Sequence, residues 1–307
     1  MKKRLQNKVA EGKFALPVVS VYAALACLAA GFWQQELWPQ LAALTLSAFL
    51  MVELNNRNVL IRIYSRMVSC SFLMLSVMAA FLMPSLPGAV VQICFISFYL
   101  LLFQAYQDRM AAGSVFYAFA ALGMASMVFV HILYFVPLFW LLMLFNIYTF
   151  SGRTFSASLL GLLLPYWFVG AYDMFNGDYA HLPEHFGRLG DFGPFFDISQ
   201  MDVHRVVTVL FVALLAITGS VHFLRNSYQD KIRTRLLYEI FILIDVCTLL
   251  FLVLQPQYCD FLLGIMIVNT APLIGHFLAL TSTRITNIAL FVILLSTLVL
   301  TAYNLWI

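Results

Sequence analysis

Long apolar runs, broken by short polar segments, recur along the whole chain. Eleven runs can be set out: Phe14–Phe32, Trp38–Leu54, Met67–Met83, Gly88–Tyr106, Ala112–His131, Leu133–Phe150, Ser156–Tyr172, His204–Leu224, Leu236–Leu254, Cys259–Leu280 and Asn287–Leu305. Each approaches the length a helix needs to cross a hydrocarbon core of about 30 Å. Inside lipid the backbone must satisfy its own hydrogen bonds, and a helix does so within one segment. The pattern therefore predicts an all-α fold: a polytopic transmembrane helical bundle of about eleven spans, one domain over residues 1–307. A single long polar segment, residues 173–203, separates the seventh run from the eighth.

Composition sharpens this picture. The chain is 63% hydrophobic and 10% charged, against about 45–50% and about 25% in soluble domains. No basic patch with interleaved aromatics suggests nucleic acid as a partner. The placement of charge says more than its total. "MKKRLQNKVAEGK" holds five basic residues, and alternate loops hold Arg57, Arg62 and Arg66, then Arg109, Arg153, Arg225, Lys231, Arg233, Arg235 and Arg284. Fifteen of the 17 basic residues thus fall on one side, leaving Arg188 and Arg205 on the other. The positive-inside rule puts the N-terminus in the cytoplasm and the C-terminus outside; in the expected setting, a bacterial inner (cytoplasmic) membrane, 173–203 is then a periplasmic loop. The first run up to Cys27, with "YAALAC" inside it, faintly resembles a lipoprotein signal, but Ala24 stands where a bulky aliphatic is usual, so it is read as a retained span. The five cysteines form no CxxC pair, and they read as packing residues. No metal or cofactor is expected.

Polar residues inside the runs are costly and tend to find partners within the bundle. The ninth and tenth runs, joined by "QPQY", should form an antiparallel hairpin. Equal depth in that hairpin pairs Asp245 with Asn269 and, secondarily, Glu239 with His276. Glu239 and Asp245 lie about 120° apart around a helix, so both pairs are not ideal together. Pro272 and Gly275, in "NTAPLIGH", can loosen the helix and free carbonyls, as at ion sites in transporters. The alternative is a plain kink and a buried polar clasp.

The outward loop holds six carboxylates, His181, His185 and Arg188, with Arg205 at its membrane end. Arg188 and Arg205 could grip a phosphate or diphosphate head group while His181, His185 or an Asp acts as base. His181 and His185 could also start a metal site with Asp178 or Asp191, although Pro183 weakens the helix that would align them. A docking surface for a partner and a simple solvated loop are the other readings. At the cytoplasmic side, "ELNNRN" followed by Arg62 and Arg66 suggests a short interfacial amphipathic helix. Pro137 and Pro165 are read as breaks in the sixth and seventh runs.

"ELNNRNVLIRIYSRM", "FLMPSLP", "QAYQDR" and "RTFSASLLGLLLPYWFVGAY" occur in that order. Over roughly residues 38–180 the chain resembles an uncharacterised bacterial family of polytopic inner-membrane proteins, a domain of unknown function. That resemblance implies a fold and a location but no activity, substrate or catalytic residue. In outline only, many spans with one long periplasmic loop bearing Arg and His look like O-antigen polymerases and ligases. The leading expectation is a protein that handles a lipid or lipid-linked envelope intermediate. The others are a non-catalytic partner or scaffold of an envelope complex, and an ion- or proton-coupled transporter.

Overall fold

The computed structural model describes residues 5–177, 179–197 and 201–306. The described residues contain thirteen α-helices and no strand. In order they are α1 (Leu5–Ala10), α2 (Ala15–Ala29), α3 (Trp38–Asn58), α4 (Met67–Met78), α5 (Leu86–Leu102), α6 (Ala112–Val128), α7 (Val136–Phe145), α8 (Gly152–Asn176), α9 (His181–Gly187), α10 (Val203–Asn226), α11 (Ile232–Leu254), α12 (Cys259–Leu280) and α13 (Arg284–Trp306). Six helical stretches are long and apolar enough to cross a membrane: Leu86–Ala105, Gly152–Asn176, Val203–Gln229, Ile232–Leu254, Pro256–Leu280 and Arg284–Trp306. This is an all-helical membrane protein.

Every predicted run falls on one helix, but not every helix is span-length. The 12 residues of α4 and the 10 of α7 rise only about 18 and 15 Å. Short 3-10 turns lengthen both, Ala80–Leu82 after α4 and Val130–Phe135 before α7. Helix ends follow local chemistry. Ser151 and Thr154 form a reciprocal capping box at the start of α8. The Ser85 hydroxyl accepts from the Gly88 amide at the start of α5, where Pro87 needs no amide partner. Pro137 likewise sits in the first turn of α7, so it begins that helix rather than breaking a span.

The bundle is built around α12. Its neighbours are α4, α5, α10 and α11, and 94% of its apolar window is buried. By contrast, only 22% of the α8 window and 17% of the α13 window are buried, so these two helices form the rim. Close approach explains several glycines. A Cβ on Gly161 of α8 would lie 2.2 Å from the Phe116 carbonyl of α6, and one on Gly123 of α6 would lie 2.6 Å from the Leu162 carbonyl of α8. Small residues let two helices meet backbone to backbone, the mode of packing that lipid favours.

One reading left open is closed here, the interrupted helix at Pro272, and one expectation is corrected. Pro272 lies inside α12, yet the helix continues unbroken from Cys259 to Leu280. Packing on every side holds it together, and Gly275 serves a contact: its Cβ would meet the Val68 nitrogen of α4 at 3.0 Å. Likewise, Arg62 and Arg66 lie on no helix. Val59 turns left-handed, with φ 49°, and Asn55 then braces the following segment. Its side chain donates to the Ser65 carbonyl at 3.0 Å and accepts from the Ile61 amide at 3.3 Å.

Candidate functional site

Polar groups follow α12 from end to end. One end of the bundle carries the 173–197 segment and is called the loop end; the other carries α1 and the Arg62 segment and is called the basic end. The α11–α12 hairpin forms, the two helices packing against each other, but its polar partners differ from those depth suggests. Asp245 accepts from the Thr270 hydroxyl at 2.9 Å. Asn269 instead accepts from the Tyr99 hydroxyl of α5 at 2.6 Å and donates to the Ile265 carbonyl at 3.0 Å. The predicted pair is therefore displaced by one residue. Asn269 and Thr270 are separated by about 100° around the helix, and Thr270 is the one turned towards α11.

Glu239 and His276 do not meet either. Glu239 accepts from the Asn146 amide at the end of α7 at 2.9 Å. His276 lies 3.0 Å from Asp230, in the connection between α10 and α11. Arg62 reaches the same Asp230 at 3.7 Å and bonds Gln229 with both guanidinium arms, at 3.2 and 2.7 Å. Arg233 ties Asn58 to the Phe103 carbonyl, each at 3.0 Å. The "ELNNRN" stretch thus works as bracing for the basic end.

At the loop end the expected head-group quartet is divided. His181 and His185 share α9, where Pro183 sits in the first turn and costs no hydrogen bond. His181 lies 2.8 Å from Asp173, while His185 is buried between Tyr166 and Phe186. Burial holds the His185 imidazole below its ordinary value, the Ser126 backbone opposing and the charges of Arg188 and His181 adding to the effect. Arg188 is exposed. Arg205 belongs to another neighbourhood, bound to Asp260 at 2.8 Å, near Asp202 at 3.6 Å and over the Phe81 ring at 5.5 Å. Among the described residues no three His, Cys, Asp or Glu side chains are grouped to hold a metal ion, and Asp178 lies outside the described residues. The Asp191 carbonyl accepts from Tyr258 at 2.6 Å and Gln257 at 3.2 Å, so this part of the loop is stapled to the α11–α12 connection.

Sequence reading missed the cavity beside Asp260. It holds about 110 Å³ between α3, α4, α5 and the start of α12, lined by Gln40, Ser47, Ser76, Ser85, Gln92 and Asp260 among apolar walls. The Gln40 carbonyl oxygen and the Ser76 hydroxyl line it and are buried without a partner. Buried polar atoms are nearly always paired, so such orphans mark a place where a ligand or water belongs. An apolar groove of about 310 Å³ adjoins this cavity, walled by Leu16, Ala23 and Cys27 of α2 and Leu41, Ala48 and Val52 of α3. Leu44 lines both spaces. The only sequence signal was scattered: Ser, Gln and Asp residues from α3, α4, α5 with its N-cap, and α12, none of them in a motif. No family model, no curated protein and no solved structure matches this chain.

Proposed function

We propose that this chain is an eleven-span protein of a bacterial inner membrane, N-terminus cytoplasmic and C-terminus periplasmic, that handles a lipid or lipid-linked envelope intermediate. The head group enters the cavity at Asp260, and the tail lies in the groove between α2 and α3. One observation carries this reading: a cavity with unpaired polar atoms meets an apolar groove at Leu44. From Leu16 to Cys27 the groove follows α2 for 11 residues, about 16 Å, which suits an extended hydrocarbon chain. Gln40, Ser76 and Gln92 offer hydrogen bonds, and the Arg205–Asp260 pair offers charge of both signs. In this reading Arg205 keeps its expected role while Arg188, His181 and His185 leave the site. The resemblance to an uncharacterised family of polytopic inner-membrane proteins is compatible with it.

The test compares unbiased lipid and glycan profiles of deletion and parent cells. A lipid-linked species changes on deletion; a copy with Gln92→Ala and Asp260→Asn fails to restore it, and one with Arg188→Ala restores it. An unchanged profile in the deletion strain overturns the reading. A second reading, ion or proton coupling through Asp245, is favoured by one observation. The second carboxyl oxygen of Asp245 is buried without a partner, and unpaired carboxyls inside membranes are commonly functional. Asp245→Asn keeps the shape and removes the ionisable group; wild-type behaviour of that variant discards this second reading.

A further inference from the structure

A second apolar groove opens on another face of α2, towards the basic end. It holds about 480 Å³ between α2, α4, α12 and α13, with Val18, Met74, Leu278 and Leu294 among its walls. On α4 it reaches from Met67 to Leu75, about 12 Å of depth along the bundle. We propose that this groove is a binding site for one anionic glycerophospholipid, distinct from the cavity at Asp260 and independent of what that cavity handles.

Three observations converge on that occupant. The walls are almost wholly apolar and take an acyl chain. Lys8 lines the mouth and brings a positive charge to it. Lys8 is held in place because α1 is pinned to the end of α12. Gln6 donates to the Leu278 carbonyl at 2.8 Å and to the Thr281 hydroxyl at 2.5 Å, and Asn7 donates to the Thr281 carbonyl at 3.2 Å. Finally, the Ser71 hydroxyl lies in the groove, one turn along α4 from Met67, and has no partner although Ser71 is only 5% exposed. A phosphate beside Lys8 places the glycerol ester carbonyls one level deeper, where the Ser71 hydroxyl can donate to one. A zwitterionic lipid carries the same esters but adds a cation that Lys8 repels. The charge at the mouth therefore selects an anionic head group.

Native mass spectrometry of the full chain, released from detergent with equal amounts of phosphatidylglycerol and phosphatidylcholine, tests this site. We expect one retained phosphatidylglycerol, with Lys8→Gln lowering its preference about fivefold. Ser71→Ala should weaken both lipids together, and Leu294→Trp, which fills the groove from the rim helix, should abolish retention. Equal retention of the two lipids by wild type overturns the proposal, as does full retention by a folded Leu294→Trp variant or a second copy of the chain in place of lipid. The loss of a lipid-linked species on gene deletion is a separate measurement, so either idea can fail without the other.

Discussion

Two acid–base pairs sit at opposite ends of the bundle, and they differ in almost every respect. At the basic end His276 and Asp230 are sealed, their side chains 1% and 3% exposed. Aromatic rings of Phe223 and Tyr238 close over His276, and Arg62 covers Asp230 from outside. At the loop end Arg205 and Asp260 are open, 33% and 40% exposed, and Asp260 faces a cavity with unpaired polar atoms. The closed pair uses its bond to join α12 to the α10–α11 connection, and the His276 Nδ1 it leaves unpaired is buried away from solvent. An open one keeps bonding capacity for something that arrives. Burial thus separates a clasp from a site more surely than residue type does.

The comparison can be broken most directly at the sealed end. Asp230→Ala leaves His276 and Arg62 without their carboxylate, and should cost about 3 kcal/mol in unfolding followed in detergent. A loss below about 1 kcal/mol would place the clasp on the same footing as an exposed pair. Gly275→Ala, beside His276, pushes a methyl against the α4 backbone at 3.0 Å and should cost about 1–3 kcal/mol. Asp260→Asn, at the open end, should change stability by less than about 1 kcal/mol while abolishing restoration of the lipid profile. Stability and function therefore separate at one end and not at the other.

The smallest effect is expected at His185, which is buried but makes no pair of this kind. Its folded value is lowered by burial, below the ordinary value of about 6.5. The unfolded chain then binds the proton more readily. The stabilisation is present above about pH 6.5 and fades as the pH falls through that value towards the folded one. Unfolding measured between pH 8 and pH 5 should show this loss in wild type and a flatter dependence in His185→Gln. Equal slopes would mean that the imidazole is as well solvated in the fold as in the unfolded chain.

Much of the architecture was legible in the chain. Residues Cys259 to Leu280 read as one helix, and α12 has those bounds. Its antiparallel pairing with α11 followed from the shortness of "QPQY", because four residues leave no other route. Orientation of side chains was not legible. A shift of one residue turns a side chain by about 100°, enough to exchange Asn269 for Thr270 opposite Asp245. His276 found Asp230, 46 residues away in a connection rather than in a span, a partner that matching helix depths does not consider.

The cavity at Asp260 lay further still from the sequence. Gln40, Ser76, Gln92 and Asp260 come from four helices, and each alone is an unremarkable polar residue near a helix end or in an apolar run. Arg205 stood out because basic residues are rare on its side, yet its partner was not visible. Sequence by itself determined roughly where the apolar helices lie, since apolar length and caps act within a few residues. It also determined that α11 and α12 are neighbours. Only the tertiary structure decided which polar groups meet, because helix rotation and rim or core position are settled by packing among all the helices at once. That packing sealed Asp230 with His276 and left Asp260 beside an open cavity.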